Sequence, residues 1–242
     1  MKTVLKLLLL LGLTVYLVFA FTRFNKPDET TVCKAVNVTI KDSSRAGFIT
    51  ADEVRRLLKN SKLYPVGRTV GDVNGEAIER ILEKNPFIAE AICYKSPDGD
   101  VNISVEQRLP VMRIIADNGD NYFIDGKGGI MPRLDYAADV VVATGHISKQ
   151  YAQRHLVRLG RHLQSDPFWN DQTQQINIDQ RGNMEIIPRV GDHVLYLGKP
   201  VDLQKKLNHL RAFYEQAMNT VGWNKYSRIS AEFSNQIICT KK

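Results

Sequence analysis

Residues 34–58 run KAVNVTIKDSSRAGFITADEVRRLL and change from a strand pattern to a helix pattern within one segment. The apolar positions that alternate with polar ones in its first part are Val36, Val38 and Ile40. Such alternation is typical of a half-buried strand. In the second part, Thr50 and Glu53 form a T-x-x-E capping box, which satisfies backbone N–H groups at a helix start. The segment therefore predicts a strand followed by a helix, whose apolar stripe is Val54, Leu57 and Leu58.

The next residues complete a small domain. A second helix is predicted from about Gly75 to Lys84, and Asn85-Pro86 ends it because the residue before a proline disfavours helical backbone. The strands predicted after it are 88–94 and 101–105, joined by the turn sequence SPDG at 96–99. The order β-α-α-β-β over residues 34–108 predicts an α+β domain in which two helices cover one face of a three-stranded sheet.

Residues 109–242 are predicted to form a second, mostly antiparallel β domain, because short strand patterns recur between turn sequences. Two helices are expected in it, at Tyr151–Leu163 and Asp202–Val221, and the second has the more regular apolar spacing. The last two strand patterns cover Arg228–Phe233 and Gln236–Thr240. The fold class is therefore α+β throughout, with the final strand expected at an edge of its sheet.

An apolar run at the N-terminus predicts a transmembrane helix. Residues 3–22 contain one charged residue, and twenty residues at about 1.5 Å each span about 30 Å, the thickness of a bilayer's hydrocarbon core. On this interpretation, residues 1–24 are an anchor with a minimal cytoplasmic tail and residues 25–33 are a linker. The chain would be a single-pass type II protein of the cytoplasmic (inner) membrane, with its C-terminal part in the periplasm.

A cleaved signal peptide is the alternative, because Val18-Phe19-Ala20 resembles a small-x-small cleavage site behind a basic start. Aromatic residues crowd that site, namely Tyr16, Phe19 and Phe21. They suit an interfacial belt and favour an uncleaved anchor. In either case, the residues after Arg23 are expected to be exported.

The distribution of charge argues against a nucleic-acid partner. The formal net charge is +7, but the first 26 residues hold four of the 33 basic residues and none of the 26 acidic ones. Much of the basic excess therefore flanks the apolar run and indicates membrane topology. The rest of the chain contains no run that combines basic and aromatic residues, so we expect no nucleic-acid binding.

No enzyme signature is present in the sequence. The three cysteines form no C-x-x-C pair, and no G-x-S-x-G occurs. Gly126–Gly129 lacks the frame of a phosphate-binding loop. His155 and His162 lie seven residues apart without a further metal ligand at suitable spacing. We therefore expect a non-enzymatic protein without a cofactor and without a metal site.

The C-terminal segment combines a strand edge with positive charge. An edge strand presents unpaired backbone N–H and C=O groups that can receive a partner strand. From Gly198 to Lys242, basic residues exceed acidic ones by five. Two interpretations stay open: Lys241 and Lys242 protect the edge against aggregation, or the basic surface docks an acidic partner segment.

Several short motifs give the whole chain a resemblance to FtsQ/DivIB, a family of bitopic bacterial cell-division proteins. In order, they are Phe48-Ile49-Thr50, Asn85-Pro86-Phe87-Ile88, Gln107-Arg108-x-Pro110, Tyr122-Phe123-Ile124-Asp125-x-x-Gly128, Met131-Pro132, Lys206-Leu207 and the closing RISAEFSNQII of residues 228–238. The family has a membrane span, a POTRA domain and a β domain. The resemblance implies that residues 34–108 are the POTRA domain and residues 109–242 the FtsQ-type β domain.

The resemblance also implies a function. It points to a divisome scaffold at the septum that binds the FtsB partner of an FtsB–FtsL coiled coil by β-strand addition and helps regulate peptidoglycan synthesis by the FtsW–FtsI pair. The POTRA domain would help to localise it. The partner-binding residues carried over by position are Phe233, Gln236, Ile237, Ile238, Cys239, Lys205, Lys206 and Arg228. Glu232 stands where many members carry a basic residue, which leaves main-chain pairing as the contact to expect.

Two alternatives to this function remain. One is another POTRA-containing export or assembly protein, although residues 111–242 lack the many ten-residue amphipathic strands of a transmembrane barrel. The other is a secreted binding protein released by signal-peptide cleavage.

Overall fold

The computed structural model describes residues 2–24, 30–41, 43, 47–133, 138–233 and 235–242. The chain divides into two compact units, unit 1 (Met1–Gln107) and unit 2 (Arg108–Lys242). Part of the predicted linker at 25–33 lies outside the described residues.

Unit 1 contains an N-terminal helix and a small α+β fold. Its helices are α1 (Lys2–Phe24), α2 (Ala51–Asn60) and α3 (Gly75–Glu83), with a 3-10 turn at Val70–Asp72. Its strands are β1 (Val36–Ile40), β2 (Ile88–Lys95) and β3 (Val101–Gln107). Over the described residues, β3 lies between β1, which is parallel to it, and β2, which is antiparallel. The predicted order β-α-α-β-β is confirmed.

Apolar residues of α2 and α3 pack with those of the strands in one core. Val54, Leu58, Ile78 and Leu82 are fully buried in it together with strand residues such as Ile103. The capping box predicted for α2 is present, because the Glu53 N–H donates to Thr50 Oγ1 over 3.2 Å and the Thr50 N–H donates to Glu53 Oε2 over 2.8 Å. The helices therefore cover one face of the sheet.

The N-terminal helix α1 has described side chains at residue 4 and at residues 6–20. Its large apolar side chains are exposed along that length, for example at Leu9 and Val18. Among the described residues, no helix has both the length and the apolar character that a membrane span requires. The anchor at residues 3–22 stays a prediction.

Unit 2 contains more elements. Its strands are β4 (Pro110–Ala116), β5 (Asn121–Asp125), β6 (Ile130–Met131), β7 (Val142–Gly145), β8 (Thr173–Ile178), β9 (Met184–Pro188), β10 (Val194–Gly198), β11 (Tyr226–Ser230) and β12 (Ile238–Lys241). Its helices are α4 (Lys149–Tyr151), α5 (Val157–Ser165), α6 (Pro167–Gln172), α7 (Leu203–Phe213) and α8 (Asn219–Val221). Single π-helical turns at Ala152–Leu156 and Tyr214–Met218 join α4 to α5 and α7 to α8.

Within the described part of unit 2, nine strands form one sheet in the order β12-β11-β10-β9-β8-β7-β4-β5-β6. Five neighbouring pairs are antiparallel, as expected, but β4–β7, β7–β8 and β10–β11 are parallel. Parallel neighbours need a crossover connection. The helical segment α4–α6 connects β7 to β8, and α7–α8 connects β10 to β11.

The helices pack against one face of this sheet. Leu156, Leu163, Leu207 and Leu210 are fully buried in a core that also contains strand residues such as Ile176. The other side of the strands near β12 carries partly or fully exposed side chains. The core of unit 2 therefore lies between the helices and one sheet face.

Two details of unit 2 differ from the sequence-based expectation. A third helix, α6, follows Asp166, whose carboxylate accepts the Phe168 N–H over 3.0 Å, and Pro167 occupies the first helical turn. The closing strands are also shorter than predicted, because β11 ends at Ser230 and β12 begins only at Ile238. Beyond β11 the Glu232 N–H turns back to Ser230 Oγ over 3.3 Å and leaves the ladder.

Candidate functional site

Strand β12 forms one edge of the sheet in unit 2. It pairs antiparallel with β11, with Ile238 opposite Ser230, Cys239 opposite Ile229 and Thr240 opposite Arg228. No strand of the described chain pairs with its other side. The side of β12 away from β11 is therefore open to a further strand.

The direction of the β12 backbone follows from its last hydrogen bond. The Lys242 N–H donates to the Lys225 carbonyl over 3.3 Å and so points towards the β11 side. Because backbone groups alternate in direction along an antiparallel strand, Thr240 and Ile238 point the same way. Cys239 and Lys241 therefore direct their backbone N–H and C=O groups outward, where a partner strand would lie.

The side chains of this segment divide between core and solvent. Ile237 and Cys239 are half-buried and pack against the core of unit 2. Ile238 is 45% exposed, and Phe233, which lies outside both closing strands, is 50% exposed. Gln236 is exposed and also precedes β12. The open backbone edge therefore carries one exposed apolar side chain, Ile238, and the exposed Phe233 precedes this strand in the chain.

Arg228 lies in β11, one strand in from the edge. Its guanidinium stacks on the Tyr196 ring, 3.8 Å from the ring centroid, and its Nη2 lies 3.4 Å from Glu185 Oε1. Burial raises the pKa of Tyr196, and the nearby Glu232 carboxylate acts in the same direction. Arg228 is thereby held flat on the exposed sheet face, so its charge is partly neutralised and its position is fixed.

Lys206 corrects the sequence-based expectation of an exposed basic residue. It is only 6% exposed, and its Nζ donates to the carbonyls of Leu197 over 2.7 Å and Lys199 over 3.0 Å. Burial lowers the pKa of Lys206, while Glu232 and Asp202 oppose that shift. Its ammonium group therefore fastens α7 to the end of β10. The sequence contains a signal for this, because position 206 falls on the apolar stripe of Leu203 and Leu210.

Lys205 belongs to a different surface. Its side chain is exposed on α7 and lines a depression between α7 and α5. The predicted pair Lys205 and Lys206 is therefore divided, with one side chain in the core and one at the surface on the helical side of the sheet.

Two motif residues that the sequence singled out have structural contacts. Gln107 is 2% exposed, and its Oε1 accepts the N–H groups of Phe48 over 2.9 Å and Ile49 over 3.0 Å. The Asp125 carboxylate accepts the Gly129 N–H over 2.7 Å and lies 3.4 Å from Arg108 Nε. These residues shape loops inside their own units, and the motif pattern alone does not distinguish such a role from binding.

An aromatic cluster lies next to the start of β10. His193 is 2% exposed and its Nε2 is 2.5 Å from Tyr214 Oη, next to Trp169 and Trp223. Burial lowers the pKa of His193, and the Trp223 backbone and Asp192 oppose the shift. The neighbouring Asp192 carboxylate pairs with Lys242 Nζ over 3.0 Å, which joins this cluster to the end of the chain after β12.

The described part of the chain contains neither an assembled group of metal ligands nor an activated thiol. No group of three or more His, Cys, Asp or Glu side chains there is arranged to hold a metal ion. The cysteines Cys33, Cys93 and Cys239 are unpaired thiols, and burial raises the pKa of all three. A raised pKa keeps a thiol protonated and poorly nucleophilic.

Comparison with known proteins agrees with this architecture. Residues 31–106 match the POTRA-like domain, and residues 109–240 match the family described as FtsQ/DivIB, C-terminal related. The fold is thus that of a cell-division protein with a POTRA-like domain followed by a β domain. The chain belongs to the FtsQ/DivIB family, a family of non-enzymatic scaffolds of septal cell division. No curated protein matches the chain.

Proposed function

We propose that β12 is the docking edge through which this cell-division scaffold receives a strand of FtsB, the partner of FtsL in a coiled coil. The observation that carries the proposal is the outward backbone of Cys239 and Lys241 at an edge that no described strand covers. Main-chain hydrogen bonds supply affinity in strand addition, and side-chain pockets supply specificity.

The side chains around the edge support a partner segment of mixed character. Ile238 and Phe233 offer apolar contacts, and Gln236 lies between them in the chain. Ile237 and Cys239 contribute indirectly, because they pack against the core and so hold the edge strand in place. Arg228, fixed on Tyr196, offers a positive charge on the same exposed sheet face as Ile238.

The consequences of docking belong to the same proposal. With FtsB and FtsL bound at the septum, the scaffold would help to regulate peptidoglycan synthesis by the FtsW–FtsI pair. The domain at residues 34–108 would contribute to septal localisation, and the domain at residues 109–242 would carry the docking edge. The two family matches to a POTRA-like domain and an FtsQ/DivIB domain support this division of labour.

We further propose that residues 1–24 anchor the protein in the inner membrane, with residues 25–33 as a linker to the periplasmic part. The apolar sequence of residues 3–22 and the exposed apolar side chains of α1 support the anchor. A secreted protein cleaved after Ala20, or another POTRA-containing assembly protein, is the competing function. The intact mass of the membrane-extracted chain separates a cleaved form from the anchored one.

The docking edge is tested by a proline at an outward position. Lys241→Pro removes the outward N–H that a partner strand would use, while Lys241→Ala removes the same side chain and keeps that N–H. We expect the proline variant to bind the periplasmic segment of FtsB about tenfold to a hundredfold more weakly, since a lost hydrogen bond and a displaced strand cost about 1–3 kcal/mol. Titration of the full chain in neutral detergent, followed by fluorescence anisotropy of the labelled segment, measures this.

The alanine variant should bind within about twofold of the original chain, because an exposed lysine contributes little by itself. Far-ultraviolet circular dichroism and tryptophan fluorescence confirm that both variants stay folded. Undiminished binding by folded Lys241→Pro and by the second outward variant, Cys239→Pro, would rule out strand addition at β12.

A further inference from the structure

A second surface of unit 2 lies on the helical side of the sheet. A depression of about 970 Å³ opens between α5 and α7, and a smaller one of about 380 Å³ adjoins it at the turn between β8 and β9. The two share His155 and Pro200 in their walls, so they form one continuous groove. We call it the basic furrow, after the cations that line it: Arg158, Arg161, Arg181, Lys199 and Lys205.

The positive charge of the basic furrow is only partly compensated by its surroundings. Among the described side chains that line the furrow, Asp202 is the acidic one. None of the five cations lies within ion-pair distance of a described carboxylate. The nearby Asp179 carboxylate accepts the N–H groups of Arg181 and Asn183, each over 2.8 Å, and its negative charge attracts the Lys199 ammonium. With Asp179 and Asp202 counted against the five cations, three positive charges are left over, so an anionic ligand would still meet an excess of positive charge.

His155 is a titratable side chain within the furrow whose protonation is governed mainly by burial. The pKa of His155 is lowered, first by burial and then by the neighbouring Arg154 and Arg158. The His155 imidazole is therefore neutral at pH 7, so it does not repel the neighbouring arginines.

Apolar side chains also line the larger depression of the furrow. Val201 is 60% exposed at its rim, Leu203 is half-buried, and Leu159 and Leu207 form its floor. A lipid headgroup or a free phosphate would use the cations alone. A polypeptide that carries both carboxylates and apolar side chains would use both kinds of contact, with the apolar contacts adding burial to the charge attraction.

We infer that the basic furrow is a second docking surface, which takes an acidic segment of a protein partner that also presents apolar side chains. The furrow is formed by the helices on one sheet face, whereas Ile238 and Arg228 lie on the other. Occupation of the furrow and strand addition at β12 therefore use different contacts. The inference does not depend on the proposed partner at β12, and the protein would hold two partners at the same time.

The test uses the full chain in neutral detergent and defined peptide probes. The main probe is a fluorescent 16-residue peptide of four Glu-Glu-Leu-Ala repeats, and its controls are a Lys-Lys-Leu-Ala and a Glu-Glu-Gly-Ser version. We expect the main probe to bind, the basic version not to bind, and the version without leucine to bind at least about fivefold more weakly. Raising the salt concentration from 50 to 300 mM should weaken the main probe's binding, because it shortens the screening length.

Charge reversal locates the site. The variant Arg158→Glu with Arg161→Glu should weaken binding of the main probe about tenfold or more. The matched control is Lys127→Glu with Lys149→Glu, which makes the same change in net charge at two exposed lysines outside the furrow and should stay within about twofold. Lys241→Pro, which disables the β12 edge, should leave the probe's binding unchanged, so failure of either docking surface is seen separately. Tryptophan fluorescence confirms folding, since Trp169 and Trp223 both lie in unit 2.

Three results would each overturn the inference. Equal binding of the version without leucine would mean charge attraction alone. Equal loss in the matched control would mean an effect of net charge without a site. Displacement of the probe by soluble dihexanoylphosphatidylglycerol at concentrations below those of the probe would make the furrow a lipid-headgroup site.

Discussion

Removing the buried amide of Gln107 should destabilise unit 1 without touching unit 2. In Gln107→Met the side chain keeps its length and fills the same space, but the oxygen that accepts the Phe48 and Ile49 N–H groups over 2.9 and 3.0 Å is lost. A buried donor that loses its partner costs about 1–3 kcal/mol. With two donors affected and no cavity formed, we expect the free energy of unfolding to fall by about 2–5 kcal/mol.

The assay exploits the distribution of tryptophan. Both tryptophans, Trp169 and Trp223, lie in unit 2, whereas both units contribute to the far-ultraviolet circular dichroism signal. In urea titrations of the full chain, part of the dichroism transition should move to lower urea while the fluorescence transition stays in place. Gln180→Met makes the same chemical change at an exposed side chain and should shift neither transition by more than about 0.5 kcal/mol. A dichroism transition that Gln107→Met leaves unmoved would refute the tether between Gln107 and residues 48–49.

Two more outcomes follow from buried titratable groups of unit 2. Burial lowers the pKa of His193, so the unfolded state binds the proton more readily than the folded state. The free energy of unfolding should therefore keep its full value above pH 6.5, which is about the pKa of a histidine in the unfolded chain, and decrease as the pH drops below that. Urea titrations followed by tryptophan fluorescence at pH 7.5 and 5.5 should show that loss, and His193→Gln should reduce it; an equal loss in the variant would assign the effect to other groups. Lys206→Met should cost about 2–3 kcal/mol, since the carbonyls of Leu197 and Lys199 lose their ammonium donor, whereas Lys205→Met should cost less than about 0.5 kcal/mol. Equal melting temperatures for these two methionine variants would contradict the buried role of Lys206.

Local patterns predicted most of unit 1 because its elements are specified by neighbouring residues. The capping box at Thr50 and Glu53 and the alternation at residues 36–40 both involve positions within a few residues of each other. Their physical causes, a satisfied helix end and a half-buried strand, act over the same short distance. The order of elements in residues 34–108 could therefore be predicted from the sequence.

The parts that could not be predicted depend on residues distant in the chain. Whether β10 pairs parallel or antiparallel with β11 depends on the path of the connecting helix, which no strand pattern contains. The basic furrow likewise combines α5, the β8–β9 turn and α7, so its charge is visible only after folding. The predicted edge position of the last strand is confirmed. Its bounds differ because the turn after Ser230 ends the strand pairing, although the apolar alternation in the sequence continues to Phe233.

Few paired residues connect the closing hairpin of β11 and β12 to the neighbouring strand β10. Only three register positions, Val194–Tyr196 with Arg228–Ser230, are paired between β10 and β11 in the described chain, compared with seven between β2 and β3. Few ladder bonds make such a hairpin a natural unit of local opening, below the free energy of global unfolding. A strand that adds to β12 binds only the closed hairpin, and mass action then raises the hairpin's apparent stability with partner concentration. Partner binding at β12 therefore shifts the same equilibrium that keeps the hairpin closed. Binding should slow amide hydrogen exchange in residues 226–241, and this slowing can be measured on the scaffold itself.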